Sequence, residues 1–202
     1  MNLQNSGNIP SILKTPKLPV IAAPLFIISV PELVIAQCKA GVIGSFPALN
    51  AREKEGEPIE LEKWLKKITE ELDKHNQKNP DNPAAPFAVN QIVHRSNTRL
   101  MRDIEICVKW KVPIWITSLG ARPEVNEAAH SCGGIVLHDI INNTFARKAI
   151  ERGADGLIAV AAGAGGHSVV RPEPLRAVAI PTRGKDGTGA RPGRHRGDGA
   201  RR

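Results

Sequence analysis

A glycine-rich stretch that ends in a histidine is the part of this sequence with the clearest capacity for chemistry. Residues 163–166 are Gly-Ala-Gly-Gly, and His167 follows directly. Glycines let the backbone approach a flat or anionic ligand closely, and an imidazole can take or give a proton near neutral pH. The pattern predicts either a ligand-facing turn with His167 as a proton-transfer residue, or an ordinary turn with an exposed histidine.

Two further polar residues interrupt or end apolar runs. Asn90 lies inside the run 87–93, and a buried asparagine must bond either to the backbone or to a ligand. His138 comes near the end of the run 135–139, where a lone histidine is more typical of a structural residue than of a catalytic one. Asn90 therefore stays a candidate for either role.

The elements that would position these residues alternate between short apolar runs and helical patterns. This rhythm predicts a parallel α/β fold, either an open doubly wound sheet or a barrel. In both architectures ligands bind beyond the carboxyl ends of the strands. The predicted strands are 19–26, 42–46, 87–93, 112–117, 135–139 and 157–162, and the predicted helices are 31–41, 58–77, 97–110, 123–133 and 142–153.

The candidate residues all fall at predicted carboxyl ends of strands. Because parallel strands end at one edge of a sheet, these residues should gather at one site, which favours a ligand-binding role for Asn90 and His167. The residues are Ala23, Pro24, Leu25, Asn90, Ser118, His138 and the stretch 163–167.

Composition predicts a soluble globular protein that we expect in the cytoplasm. Hydrophobic residues make up 41% and charged residues 24%, with no apolar run of membrane-spanning length and no secretory signal. Cys38, Cys107 and Cys132 are scattered, which indicates free buried thiols, with a reactive cysteine as the alternative. The histidines show no metal-ligand spacing, so no metal site is predicted.

The net charge of +8 is concentrated at the end of the chain. Residues 168–202 carry +6 and are rich in Arg, Gly and Pro, so we expect a disordered basic tail after a folded domain over 1–167. A nucleic-acid-binding tail is one interpretation, although the nearly neutral body and the lack of aromatic residues in the tail argue against it. The other is a stretch of a GC-rich gene that is read out of frame.

Several motifs resemble those of the nitronate monooxygenase family, formerly called 2-nitropropane dioxygenases. They are Val-Ile-Ala-Ala-Pro-Leu at 20–25, Ala-Val-Asn at 88–90, Gly-Ala-Asp-Gly at 153–156 and Ala-Gly-Gly-His at 164–167. The resemblance covers about residues 10–167. It implies an FMN-dependent (β/α)₈ barrel of the TIM-barrel type.

The resemblance also implies roles for particular residues. Ala23, Pro24, Leu25 and Asn90 would line the flavin ring, Gly165 and Gly166 would lie against the cofactor, and His167 would match the family's catalytic histidine. The implied reaction oxidises an alkyl nitronate with dioxygen to a carbonyl compound and nitrite. A small-molecule nitronate and dioxygen are therefore the expected partners, with no membrane partner and with a homodimer as the candidate assembly.

The sequence departs from the family's pattern in two places. Val160 stands where many members carry a glutamine, and the chain after Ser168 lacks the pattern of the last two strands. We therefore expect an incomplete barrel of about six strands, without the usual phosphate-binding loops, that binds FMN weakly or not at all. The alternative functions are an NADH-dependent FMN barrel reductase acting on an enoyl thioester or a quinone, and a non-catalytic nucleic-acid-binding protein.

Overall fold

The computed structural model describes residues 9–53, 56–160 and 164. Gly165, Gly166, His167 and the predicted tail 168–202 lie outside the described residues, so the predictions for them stay predictions. Strands and helices alternate through the described part. The helices are α1 (Pro31–Lys39), α2 (Ile59–Lys78), α3 (Leu100–Lys109), α4 (Pro123–Ser131) and α5 (Asn143–Glu151), and the strands are β1 (Gly44–Pro47), β2 (Phe87–Ile92), β3 (Ile114–Ser118), β4 (Ile135–Ile140) and β5 (Gly156–Ala159).

The five strands form one parallel sheet whose spatial order follows the chain from β1 to β5. A helix connects each strand to the next. In a doubly wound sheet the strand order reverses at a switch point, whereas in a barrel it does not. The uninterrupted order therefore confirms the predicted barrel-type α/β fold, present as an incomplete barrel.

The predicted first strand over 19–26 is wrong for most of its length. Ile21 forms a single parallel bridge with Ile43, ahead of β1, in which the Ala22 amide donates to the Ile43 oxygen at 2.8 Å. Val20 is 47% exposed and Phe26 67% exposed, so the run is not buried. Pairing stops because Pro24 has no amide hydrogen to donate and the chain then turns at residues 25–29.

The sheet has two different faces. Trp115 and Val136 lie on the helix-facing side, in a core that also holds buried side chains of the first four helices. Ile116 and Leu137 lie on the opposite side, the inner face, where Ile12 packs against the same cluster. Alternation along each strand assigns its other residues to one of these faces.

Helix ends follow the predicted signals. The Asn142 side chain accepts a hydrogen bond from the Phe145 amide at 2.9 Å and so caps α5. The same helix is followed by Gly153 at φ 93°, a conformation that glycine adopts without strain. Helix α2 buries one apolar stripe, which is formed by Leu61, Leu65, Ile68 and Leu72. No helix within the described ranges is both long and apolar enough to cross a bilayer.

Candidate functional site

Asn90 lies on the inner face of β2, near its carboxyl end. Its side-chain nitrogen donates to Ser118 Oγ at 2.8 Å and to the Ile116 oxygen at 3.2 Å, and the residue is 5% exposed. The side-chain oxygen Oδ1 accepts no hydrogen bond from any residue that the structure describes. Asn90 can therefore have both predicted roles. Its side-chain nitrogen bonds to the backbone and to Ser118, and its oxygen has no partner among the described residues and could accept a hydrogen bond from a ligand.

The segment 23–25 follows the bridge to Ile43 at the same end of the sheet. Ser45 Oγ donates a hydrogen bond to the Ala22 oxygen, which ties this segment to β1, and β1 in turn pairs with β2 through Pro47 and Asn90. Leu25 is 49% exposed. The structure therefore brings Ala23, Pro24 and Leu25 to the end of the sheet that also carries Asn90.

His138 points away from this site. Its Nδ1 lies 2.5 Å from Thr117 Oγ1, and the ring is buried on the helix-facing side of β4. Burial lowers the pKa of His138, with the nearby Asp139 carboxylate acting in the opposite direction. The geometry therefore supports a structural role for His138.

Asp139, the next residue, takes the position that sequence reasoning gave to His138. It lies two residues after Leu137 and so shares the inner face, where it pairs in register with Ile158 of β5. Its partly buried carboxylate accepts no hydrogen bond within the described part of the chain. Successive side chains of a strand point to opposite faces of the sheet, so Asp139 and His138 lie on different faces. The sequence could not show which of them faces inward, because both faces of β4 carry apolar residues.

The last described strand runs toward the same end of the sheet. Ile158 packs on the inner face, and the Val160 amide donates to the Ile140 oxygen at 2.9 Å. The chain therefore arrives at the carboxyl end shortly before the predicted site residues Gly165, Gly166 and His167. The position of these three residues remains a prediction.

The Gly-Ala-Asp-Gly motif at 153–156 lies at the opposite, amino end of the strands. Asp155 Oδ2 accepts hydrogen bonds from the Val136 amide at 2.8 Å and from His130 Nε2 at 2.7 Å. A Cβ on Gly156 would come within 2.8 Å of Leu137 Cδ2, so glycine lets β5 lie against β4 without a shift of the Leu137 side chain. This motif thus builds the fold and contributes nothing to the candidate site.

The three cysteines are free thiols, and two of them are buried. Cys38 and Cys107 are buried, and burial raises the pKa of the Cys38 thiol to about 11 and that of Cys107 still further. Cys132, which is partly buried, follows α4 at the amino end of the sheet. In the ranges described, no group of three or more His, Cys, Asp or Glu side chains could hold a metal ion.

Comparison with known proteins gives structural neighbours only. No protein-family model matches the chain, and no curated protein sequence matches it. FabK from Thermotoga maritima matches with a TM-score of 0.64 and 21% identity over 80% of this chain and 46% of that protein. Nitroalkane oxidase from Streptomyces ansochromogenes matches with a TM-score of 0.61 and 18% identity over 76% of this chain and 49% of that protein.

These likenesses support the fold. The chain spans about half the length of both solved proteins, in agreement with an incomplete barrel. At such low sequence identity the likeness does not extend to activity, and the nitronate monooxygenase assignment therefore remains a hypothesis.

Proposed function

We propose that the carboxyl end of this sheet is a flavin site and that the chain is an FMN-dependent oxidoreductase of the nitronate monooxygenase type. The observation that carries the proposal is the side chain of Asn90. Its nitrogen is fixed by Ser118 and Ile116, while its Oδ1 accepts no hydrogen bond from the described part of the chain. A flavin ring carries N–H donors at its edge that such an acceptor fits. The fold neighbour named as a nitroalkane oxidase adds support.

The described residues fit the ring of FMN better than its phosphate. In the proposal, a flat ring rests on the inner face beside Asn90, with Ala23, Pro24 and Leu25 at the same end of the sheet. Barrels of this kind usually bind a phosphate with the loops after their last two strands. These loops are not among the described residues, and the proposal keeps the weak binding of FMN that the sequence of residues 168–202 predicts.

Each proposed residue has a distinct task. Asn90 Oδ1 accepts a hydrogen bond from the ring and fixes its orientation, and Gly165 and Gly166 let the backbone approach the ring closely. His167 takes a proton from the carbon of a neutral nitroalkane or orients an anionic nitronate. FMN, when bound, supplies the electron transfer that lets dioxygen convert the nitronate into a carbonyl compound and nitrite.

Asp139 favours a second candidate function. Its carboxylate, which has no partner among the described residues of the inner face, repels an anionic nitronate and tolerates a neutral substrate. An NADH-dependent FMN reductase acting on an enoyl thioester or a quinone would use such a substrate. The two candidates share the flavin and differ in the charge of the substrate and in the need for NADH.

One assay on the full chain separates these functions. Residues 1–202 are incubated with excess FMN, and nitrite release from propionate 3-nitronate is measured without NADH beside NADH oxidation with an enoyl thioester or a quinone. Nitrite release that Asn90→Leu abolishes supports the first function. The control Asn76→Ala should retain it, because Asn76 accepts its hydrogen bond from the Ala84 amide, away from the site. NADH oxidation without nitrite release supports the second, and the absence of both activities at saturating FMN contradicts the proposal.

A further inference from the structure

The loop Leu25–Ser29 at the carboxyl end of the sheet presents four consecutive apolar side chains to solvent. Leu25, Phe26, Ile27 and Ile28 are 49%, 67%, 64% and 63% exposed. Ile27 has φ 70°, a left-handed conformation that is unfavourable for a β-branched residue. Neither burial nor intrinsic preference therefore accounts for the shape of this loop, and some other contact must hold it.

One side chain supplies that contact. Asn50 Oδ1 accepts a hydrogen bond from the Ile27 amide at 3.1 Å, and Asn50 Nδ2 donates to the oxygens of Leu25 and Ser29, each at 3.0 Å. The Asn50 amide thus fixes three backbone groups of the loop at once. The buried Ser29 closes the loop on itself, because its Oγ accepts from the Leu25 amide at 2.8 Å.

The turn that carries Asn50 is itself fixed by a buried ion pair. Arg99 donates to the oxygen of Ala51 at 2.8 Å and to that of Ala48 at 3.5 Å, on either side of Asn50. Asp103 orients Arg99 through three hydrogen bonds of 2.8–3.0 Å and is fully buried. A continuous hydrogen-bonded path therefore runs from α3 through the turn after β1 to the loop Leu25–Ser29.

We propose that Asn50 is a positioning residue of the candidate site, which sets the conformation of the loop Leu25–Ser29 and with it the wall formed by 23–25. A strained residue such as Ile27 persists only where its surroundings enforce its conformation. Without the Asn50 amide, Ile27 relaxes to negative φ and the segment 23–25 loses its fixed position. The proposal rests on the proposed function only in calling this segment a wall of a flavin site.

Limited proteolysis of the full chain tests the positioning role without any ligand. Chymotrypsin cleaves after Phe26 only when the loop opens, so the native cleavage rate reports the open fraction. Asn50→Ala should raise this rate at least about tenfold and leave cleavage after Phe87 unchanged. Asn76→Ala is the matched control, since Asn76 also accepts a backbone hydrogen bond, from Ala84 at 2.8 Å, but far from the loop.

The pattern of cleavage decides between positioning and general stabilisation. The proposal is supported when Asn50→Ala selectively raises the rate of cleavage after Phe26. Asn50→Asp should raise this rate less, because aspartate keeps the acceptor for the Ile27 amide. Unchanged cleavage at Phe26 overturns the proposal, and so does a parallel increase at Phe87 together with a lowered Tm.

A titration with FMN separates this proposal from the proposed function. Where the wild-type chain binds FMN, Asn50→Ala should raise the Kd at least about tenfold and Asn76→Ala should leave it unchanged. An unchanged Kd in a variant whose loop has opened overturns the role of the loop as a wall. Absence of FMN binding by the wild type counts against the flavin site, while cleavage after Phe26 still decides the role of Asn50.

Discussion

At the amino end of the sheet, three loops enter strands through glycines in the left-handed region, whereas at the carboxyl end the bulky residues Ile27 and Leu119 take that conformation beside Gly56 and Gly120. The glycines at the amino end are Gly41, Gly133 and Gly153, and the exposed Lys111 is the exception there. Glycine adopts positive φ freely and a bulky residue does not. The amino end is therefore built for low strain, and the carboxyl end retains strain of the kind that functional sites carry.

Polar groups differ between the two ends in the same way. At the amino end, Asp155 accepts hydrogen bonds from Val136 and His130. At the carboxyl end, Asn90 Oδ1 and the Asp139 carboxylate accept none from the residues within the described ranges. This contrast fits the proposed function, in which the amino end serves the fold and the carboxyl end keeps hydrogen-bonding capacity for a ligand.

The largest effect is expected from breaking the ion pair that fixes the turn after β1. Burial raises the pKa of Asp103, and the hydrogen bonds from Arg99 oppose that shift. Asp103→Ala removes the carboxylate that hydrogen-bonds the buried Arg99 and leaves it, among the described carboxylates, only Glu53 at 3.9 Å, which should lower the free energy of unfolding by about 3–5 kcal/mol in urea denaturation. Glu62→Ala, which removes an exposed pair with Lys109, is the control and should cost less than about 1 kcal/mol. Equal losses in the two variants would contradict the anchoring role.

A pH dependence of intermediate size is expected from His138. Because its folded pKa lies below the unfolded one, the unfolded chain binds the proton more tightly. Stability is complete above the unfolded pKa of about 6.5 and falls as the pH decreases through that value toward the folded pKa, by at most about 1.4 kcal/mol per pH unit. Urea denaturation between pH 7.5 and 5.5 should show a smaller slope for His138→Gln than for the wild type. Identical slopes would mean that His138 is not held neutral by burial.

Two substitutions test the contrast in backbone strain, with a smaller effect. A Cβ on Gly133 meets no atom within 4 Å, so Gly133→Ala adds only backbone strain and should cost about 1 kcal/mol of unfolding free energy. Ile27→Gly relieves strain at the carboxyl end and should change stability by less than about 0.5 kcal/mol, because relief offsets the added chain entropy. A larger loss of stability in Ile27→Gly than in Gly133→Ala, measured by thermal denaturation, would contradict the difference in backbone strain between the two ends.

The smallest effect is expected from the one cysteine that is not buried. Cys132 should react with a maleimide well before Cys38 and Cys107, whose burial raises their thiol pKa. Because Cys132 lies at the amino end, its modification should leave the Kd for FMN within about twofold of the unmodified value. Mass spectrometry identifies the modified residue. Loss of flavin binding on labelling would indicate a ligand site at the amino end and would contradict the proposal.

The sequence predicted the order of the elements better than the faces of the strands. Asn142 and Gly153 marked the ends of α5 because capping and positive φ are local properties. Phe26 was predicted to lie in a buried strand because it ends an apolar run. Apolar character alone does not show that this segment stays unpaired beyond its bridge to Ile43. His138 and Asp139 could not be assigned to a face for lack of a polar side on β4.

Contacts between distant residues were beyond sequence reasoning. Asn50 lies 21–25 residues from the backbone groups it binds, in a turn whose sequence shows no pattern that indicates them. The resemblance motif at 153–156 was informative for the fold alone, because Asp155 and Gly156 act in packing. Long-range pairing therefore decided which of the candidate residues could share a site.

The most direct test of a ligand site at the carboxyl end is an NMR titration of the ¹⁵N-labelled full chain with FMN, which detects weak as well as tight binding. We expect chemical-shift changes at the Asn90 side-chain amide and at the Leu25 and Ser118 backbone amides, with none at Gly133 or Asp155. Changes confined to the amino end, or no change at millimolar FMN, would contradict the account.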